Sequence, residues 1–111
     1  MKEVKRGIEG LRECLREFLT NYYVFKTPSP SWRVDGEEVI GFISVYDLEI
    51  NPWVYVDYRK RYTLLHFFFR DKTIVCIVPK IELFNLGSLA KFKASPKNNN
   101  YFRVNHCEIL F

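Results

Sequence analysis

The sequence lacks the features that mark secreted, membrane and disulfide-stabilised proteins. Its three cysteines are an odd number without a Cys-x-x-Cys spacing, no Asn-x-Ser/Thr site occurs, and charged residues are frequent among the first ten positions. No apolar run approaches the roughly 20 residues that a membrane-spanning helix needs. We therefore expect no signal peptide, no membrane segment and no disulfide framework, which favours the reducing cytoplasm.

Catalytic motifs built on glycine or on metal ligands are also missing from the sequence. The five glycines form no phosphate loop, dinucleotide fingerprint or Gly-x-Ser-x-Gly elbow. His66 lies among leucines and phenylalanines, and His106 and Cys107 are neighbours that would point to opposite sides of a strand. These patterns indicate a core histidine rather than a ligand, so the histidines and cysteines predict neither a metal site nor a cofactor.

Apolar and aromatic residues are abundant instead. Hydrophobic residues make up 48% of the 111 positions and aromatic residues 17%, with ten Phe, seven Tyr and two Trp. A chain of this length buries roughly two-thirds of the surface that its unfolded form exposes. We predict a single α+β domain over residues 1–111. The many charged residues and the single Met are typical of a heat-adapted, thermophilic protein, which would fit an archaeal or viral source.

A long amphipathic helix is the clearest element in the pattern. Apolar residues follow each other at steps of three and four from Val4 to Tyr22, and charged residues occupy the other face. The spacing predicts a helix over residues 2–24. Cys14 lies on its apolar face and is expected to be buried, as is Cys76 in the apolar run of residues 74–78.

Short extended runs follow the helix. Strands are predicted over residues 39–46, 53–58, 62–69 and 73–78, the last two forming a hairpin. Pro79 ends the hairpin and favours a second helix that reaches Phe92, and residues 101–111 supply one or two terminal strands. The order predicts an α+β fold with an N-terminal amphipathic helix, a three- to four-stranded mainly antiparallel meander, a second helix and C-terminal strands.

The positive charge of the chain is concentrated in its second half. Residues 1–50 contain seven Lys and Arg against nine Asp and Glu, whereas residues 51–111 contain ten against four. A basic region attracts polyanions such as nucleic acid, and exposed aromatic rings can stack on bases. The cations that we expect to contact phosphates lie near tyrosines and phenylalanines and are Arg59, Lys60, Arg61, Lys91, Lys93 and Lys97.

Carboxylates cluster around the predicted strand over residues 39–46. Asp47 and Glu49 are two residues apart and would face the same way on a strand, and Asp35 precedes them. Carboxylates at strand ends can hold Mg²⁺ through their oxygens. Two interpretations stay open. One is an acidic loop without a catalytic role. The other is a catalytic site of Asp35, Asp47 and Glu49 in which Asp47 and Glu49 bind the metal.

Two stretches carry a family resemblance. One runs from Gly41 to Tyr46, and the other is the apolar hairpin followed by Pro79-Lys80-Ile81-Glu82-Leu83. Across residues 32–92 these stretches resemble the restriction-endonuclease-like, or PD-(D/E)xK, nuclease fold. Where that family has an acidic residue and a lysine, this chain has Ser44 and Tyr46. The resemblance therefore implies a non-catalytic relative, or a nuclease whose active site is shifted to Asp47 and Glu49.

The leading hypothesis is a small nucleic-acid-binding protein that is not an enzyme and contacts phosphates through its basic second half. The first alternative is an Mg²⁺-dependent nuclease of restriction-endonuclease-like fold. The second is a protein-interaction or dimerisation module, such as a homodimer, without a role in nucleic-acid binding. Its interface would bury Trp53, Tyr55 or Tyr58, because aromatic residues are enriched at such interfaces.

Overall fold

Two β-sheets form the frame of the protein, which a computed structural model describes over residues 2–25 and 32–111. The elements are, in chain order, β1 (Lys2–Arg6), α1 (Gly7–Asn21), β2 (Val24–Phe25), β3 (Arg33–Asp35), β4 (Glu38–Ile43), α2 (Val45–Glu49), β5 (Val54–Tyr58), β6 (Tyr62–Phe68), β7 (Thr73–Pro79), α3 (Lys80–Asn85), β8 (Ala90–Pro96) and β9 (Phe102–Ile109). Sheet A has the strand order β1-β7-β6-β5, and sheet B has the order β2-β9-β8-β4-β3. Within the described residues, β1 and β7 pair in parallel and all other neighbours are antiparallel. The predicted α+β fold with an N-terminal helix, mainly antiparallel strands and a C-terminal strand is confirmed.

The N-terminal helix is shorter than its apolar spacing predicts. It begins at Gly7, because residues 2–6 are extended and pair with residues 73–77 of β7. Gly7 has a φ of 73°, a left-handed conformation that glycine adopts without steric cost, and it turns the chain from strand into helix. Gly10 then allows a close approach, since a Cβ there would lie 3.0 Å from the Cβ of Lys5. The first turn of α1 therefore packs directly against β1.

The strand predicted over residues 39–46 also ends early, at Ile43. The next residue, Ser44, caps α2: its Oγ accepts a hydrogen bond from the Asp47 N–H, and the Asp47 Oδ2 accepts one from the Ser44 N–H at 2.7 Å. This reciprocal capping box satisfies backbone donors at the start of the helix. Asp47 and Glu49 consequently lie on a helix and not on the predicted strand.

The second predicted helix ends before Phe92. α3 stops at Asn85, and Gly87, with a φ of 68°, follows it. Leu89 and Phe92, which were predicted as helical, are buried, and residues 90–94 alternate between buried and exposed as a strand does. Two apolar positions three residues apart fit the helical period, but pairing with β4 and β9 makes this segment β8.

The hydrophobic core is built by α1 together with the inner faces of both sheets. α1 contacts β7 in sheet A and β9 in sheet B. The ring of Phe18 on α1 lies 5.2 Å from that of Phe67 on β6. Cys14 and Cys76 are buried as predicted, and a hydrogen bond between their thiols, together with burial, raises the pKa of Cys14. In the part of the chain that the structure describes, no helix is long and apolar enough to cross a membrane.

Candidate nucleic-acid interface

One face of sheet A is left open by the described elements. Along β6, the side chains of Thr63, Leu65 and Phe67 are buried, and Phe67 contacts α1. Alternate side chains of a strand point to the opposite side of its sheet. The strand register places the following residues on that side, called the outer face here: Lys2, Val4, Arg6, Tyr55, Asp57, Tyr62, Leu64, His66, Phe68, Thr73, Val75, Ile77 and Pro79.

Three rings form a row at the centre of the outer face. Tyr55 and His66 are cross-strand partners whose ring centroids are 5.5 Å apart, and Phe68 lies 6.4 Å from His66 on the same strand. The His66 and Phe68 rings are nearly parallel, with an angle of 21° between their planes. Tyr55 is 56% exposed and Phe68 is 42% exposed. Part of each of these two rings is therefore exposed to solvent.

His66 belongs to the outer face and not to the core that its apolar neighbours predicted. Partial burial lowers its pKa below the ordinary value of 6.5, and the positive charges of Lys2 and Arg59 lower it further, whereas Asp57 acts in the opposite direction. The imidazole is therefore mainly uncharged at pH 7 and presents a neutral ring.

The predicted basic turn lies at one end of the outer face. Arg59 forms a 2.7 Å ion pair with Asp57, whereas Lys60 and Arg61 have no ion-pair partner among the described residues. Arg61 and Arg6 line a cavity of about 520 Å³ at this end. Arg6 was not predicted as a site residue, because the apolar spacing placed it in the helix. The parallel pairing of β1 with β7 brings it to the outer face.

Two more cations line a cavity at the opposite end of sheet A, between its strands, α1 and the loop after β8. Arg70 follows β6 and Lys97 follows β8, and both line a cavity of about 550 Å³ next to Phe68. The sequence predicted Lys97 as a phosphate contact but assigned Arg70 only to the hairpin turn. The row of three rings thus lies between two cationic ends.

The other two predicted cations lie on a different surface. Lys91 and Lys93 are exposed on β8 of sheet B, where their partners on β9 are Glu108 and His106. Phe42 on β4 is the other neighbour of Lys91 and is 46% exposed. The six predicted cations therefore do not form one site. Three lie at one end of the outer face of sheet A, one lines the cavity at the other end of that sheet, and two lie on sheet B.

The structure does not bring the candidate metal-binding carboxylates together. Asp47 is 3% exposed, and its Oδ2 also accepts a hydrogen bond from the Ser44 hydroxyl at 2.9 Å. Glu49 is exposed and accepts a hydrogen bond from the Tyr58 hydroxyl. Side chains two residues apart on a helix point about 200° apart. Asp35 ends β3, but its side chain lies outside the described part. Within the described residues, no three His, Cys, Asp or Glu side chains group as metal ligands.

The aromatic residues predicted for a protein interface have different surroundings. The ring of Tyr58 stacks on Phe84, with centroids 5.9 Å apart and an angle of 20°. Burial, followed by the hydrogen bond to Glu49, raises the pKa of Tyr58 to about 12. Tyr55 lies on the outer face, and Trp53 lines the cavity next to Phe68. Of the three predicted aromatic residues, Tyr58 is thus the one that stacks on helix α3 of the protein itself.

Exposed rings lie at the centre of the outer face of sheet A, and cations for which the described residues provide no ion-pair partner lie towards the two ends of this sheet. The rings come from β5 and β6, and the cations come from β1, from the turns that follow β5 and β6, and from the loop after β8. No protein-family model, no curated protein and no solved structure matches the chain.

Proposed function

We propose that the protein binds single-stranded nucleic acid across the outer face of sheet A and catalyses no reaction. The observation that carries the proposal is the row of Tyr55, His66 and Phe68 between two cationic ends. Bases stack on exposed aromatic rings with little dependence on sequence, and each stacked base contributes about 1–3 kcal/mol. Four-stranded sheets with rings on an open face hold two or three bases in this way.

The size of the outer face fits a short strand. β6 crosses it with seven residues. At about 3.4 Å per residue, this gives a track of roughly 20 Å. Two or three bases would cover the central rings and leave phosphates near both ends. A duplex keeps its bases stacked on each other and offers these rings no free surface, so the expected partner is a single strand.

Cations at the two ends supply the phosphate contacts. Lys60 and Arg61 at one end, and Arg70 and Lys97 at the other, have no ion-pair partner among the described residues. Such side chains neutralise phosphates and release counterions, so the affinity should fall as the salt concentration rises. Arg59 should contribute less, because Asp57 already neutralises it.

The nuclease alternative would need Asp35, Asp47 and Glu49 to share a metal ion. The carboxylate of Asp47 instead caps α2 from a buried position, and that of Glu49 is bound by Tyr58. Replacing Asp47 by Asn should therefore weaken the helix cap and should not remove a cleavage activity. This arrangement supports a binding protein rather than an enzyme.

Fluorescence anisotropy of labelled oligonucleotides tests the proposal. Single-stranded DNA and RNA of about ten nucleotides, with matched duplexes, are titrated with the protein. The titrations cover about 50 to 200 mM salt, with and without Mg²⁺. We expect single strands to bind more tightly than duplexes, with an affinity that decreases steeply with salt. Absence of binding to every strand at the lowest salt would overturn the proposal, and shortening of the probe only in Mg²⁺ would identify a nuclease.

A protein partner is the competing use of the same surface, because the exposed rings would also suit a dimer interface. Analytical ultracentrifugation separates the two uses. A dimer that high salt leaves intact and that Tyr55→Ala dissociates would identify a protein interface. A monomer that binds strands would leave the outer face to nucleic acid.

A further inference from the structure

A cavity of about 550 Å³ opens at the Phe68 end of sheet A, and its lining also includes Phe18 and Tyr22 of α1, the helix that covers the other face of this sheet. Its wall is largely aromatic and includes Trp53, Phe68, Phe69 and Tyr101. Small-molecule sites in proteins typically occupy about 300–1,000 Å³ and are lined by apolar rings with a few polar groups. The cavity therefore has the size and the lining to hold a planar ring with polar substituents.

Backbone hydrogen bonds position the wall of this cavity. The carbonyl of Trp53 accepts a hydrogen bond from the Phe68 N–H at 2.8 Å. On the loop between β8 and β9, the Lys97 N–H donates to the carbonyl of Tyr101 at 2.9 Å. The side chain of Asn98 closes the same loop, since its Oδ1 accepts a hydrogen bond from the Tyr101 N–H at 3.1 Å. These hydrogen bonds hold the backbone that carries Trp53, Phe68, Tyr101 and Lys97.

The charged groups at the cavity are both cationic. Arg70 and Lys97 line it, no carboxylate is among the described lining residues, and neither cation has an ion-pair partner in the described part of the chain. Lys72 on the same hairpin turn differs, because it forms an ion pair with Glu17. A ligand that joins a planar ring to an anionic group would match both the wall and the charge. Arg and Lys both bind phosphate, and Arg does so through two donors.

We infer that this cavity binds one nucleotide, with its base against the aromatic wall and its phosphate held by Arg70 and Lys97. The inference rests on the proposed function, because Phe68 belongs both to the row of rings and to the cavity wall. A strand that crosses the outer face would place one of its nucleotides there. A free nucleoside monophosphate has the same chemistry and would occupy the same place.

The fluorescence of Trp53 offers a direct measurement. Trp53 is 42% exposed at the cavity, whereas Trp32 is 9% exposed. We expect adenosine 5′-monophosphate to quench the emission in a saturable way, and Trp53→Phe to remove the signal. Adenosine and inorganic phosphate alone should each bind at least about tenfold more weakly, because each makes one of the two kinds of contact.

Matched variants test the two cations. Arg70→Ala combined with Lys97→Ala should weaken binding of the monophosphate by about tenfold or more. Lys91→Ala combined with Lys93→Ala removes the same net charge from sheet B and should leave this affinity unchanged. The inference is overturned if the monophosphate causes no saturable quenching, or if it binds no better to the original protein than to the Arg70 and Lys97 variant.

Competition with an oligonucleotide identifies the source of the nucleotide. Displacement of a labelled strand by the monophosphate would place the cavity on the path of the strand. Binding of the monophosphate without displacement would assign the cavity to free nucleotides. If the protein binds single strands but not the monophosphate, the cavity is not a nucleotide site, and the proposed function still holds. A protein that binds the monophosphate but no strand would refute the proposed function and keep the cavity.

Discussion

The open faces of both sheets carry cations but place them differently. On sheet A, aromatic rings occupy the centre and the cations lie at the two ends. On sheet B, Lys91 and Lys93 lie in the middle of the sheet, and Glu108 is the direct partner of Lys91. Phe42 is the exposed ring beside them.

This difference in placement distinguishes a face that only attracts polyanions from a face that could recognise a single strand. A cation in the middle of a sheet can attract any polyanion, but an acidic partner directly opposite weakens that attraction. Rings flanked by cations contact the bases and the phosphates of a strand together, which a duplex or a simple polyanion does not match. The count of basic residues in the second half of the chain does not distinguish the two faces, whereas their placement does.

The largest expected effect comes from removing the rings of one face. Tyr55→Ala combined with Phe68→Ala should weaken single-strand binding by roughly 100-fold, because each stacked base contributes about 1–3 kcal/mol. Phe42→Ala is the control on sheet B and should leave the affinity unchanged. Anisotropy titrations at one salt concentration measure both. If the double variant and Phe42→Ala lose affinity equally, single-stranded nucleic acid does not prefer sheet A to sheet B.

The salt dependence should identify the face that holds the phosphates. Lys60→Ala combined with Arg61→Ala should reduce the slope of log affinity against log salt by about 1.4, since each single-strand phosphate contact contributes about 0.7. Lys91→Ala combined with Lys93→Ala should leave the slope as it is. If the slopes respond in the reverse order, the binding surface is on sheet B.

A smaller effect is expected from the capping box at the start of α2. Ser44→Ala removes the hydroxyl of the α2 capping box and should lower the free energy of unfolding by about 1 kcal/mol. Urea unfolding measures this change, and Ser88→Ala, at an exposed position, is the matched control. Strand affinity should be unchanged. If Ser44→Ala changes the affinity for the single strand but not the stability, Asp47 becomes a candidate site residue again.

The smallest effect concerns the titration of His66. Its folded pKa lies below the ordinary 6.5, so between these two values the unfolded chain binds more protons. Stability should therefore rise with pH through that window and become independent of His66 above it. A base stacked on the ring should lower the pKa of His66 further, because burial is the largest cause of its present shift.

Proton NMR of the imidazole follows this titration with and without an oligonucleotide, and the signal of His106 on sheet B serves as an internal reference. A pKa of His66 that the oligonucleotide does not lower would mean that no base covers this ring.

Local elements could be predicted from the sequence because their signals are local. The hairpin of β6 and β7 was predicted because two apolar runs flank the short turn at residues 70–72. β1 was missed because Val4 continues the helical spacing of α1, and only its pairing with β7 makes it a strand. His66 was assigned to the core because both faces of β6 are apolar, and sequence does not tell which face is covered.

The site was predicted only in part for a related reason. The cations at residues 59–61 were found because they are adjacent in sequence. Arg6 and Arg70 were not found, because strand pairing and the hairpin turn bring them to the outer face. The division of the strands into two sheets depends on contacts between distant residues, so no local pattern indicated that Lys91 and Lys93 lie apart from Arg61.

The position of β1 at the edge of sheet A sets an order for assembly. Its Lys2 pairs with Thr73, whereas β6 and β7 are joined by a short turn, so closing the β1 contact costs more chain entropy. The hairpin should form first and β1 should dock late, as expected for contacts between residues far apart in sequence. Amide hydrogens of β1 should then exchange faster than those of β7. An oligonucleotide that binds Arg6 should slow the exchange of the β1 amide hydrogens.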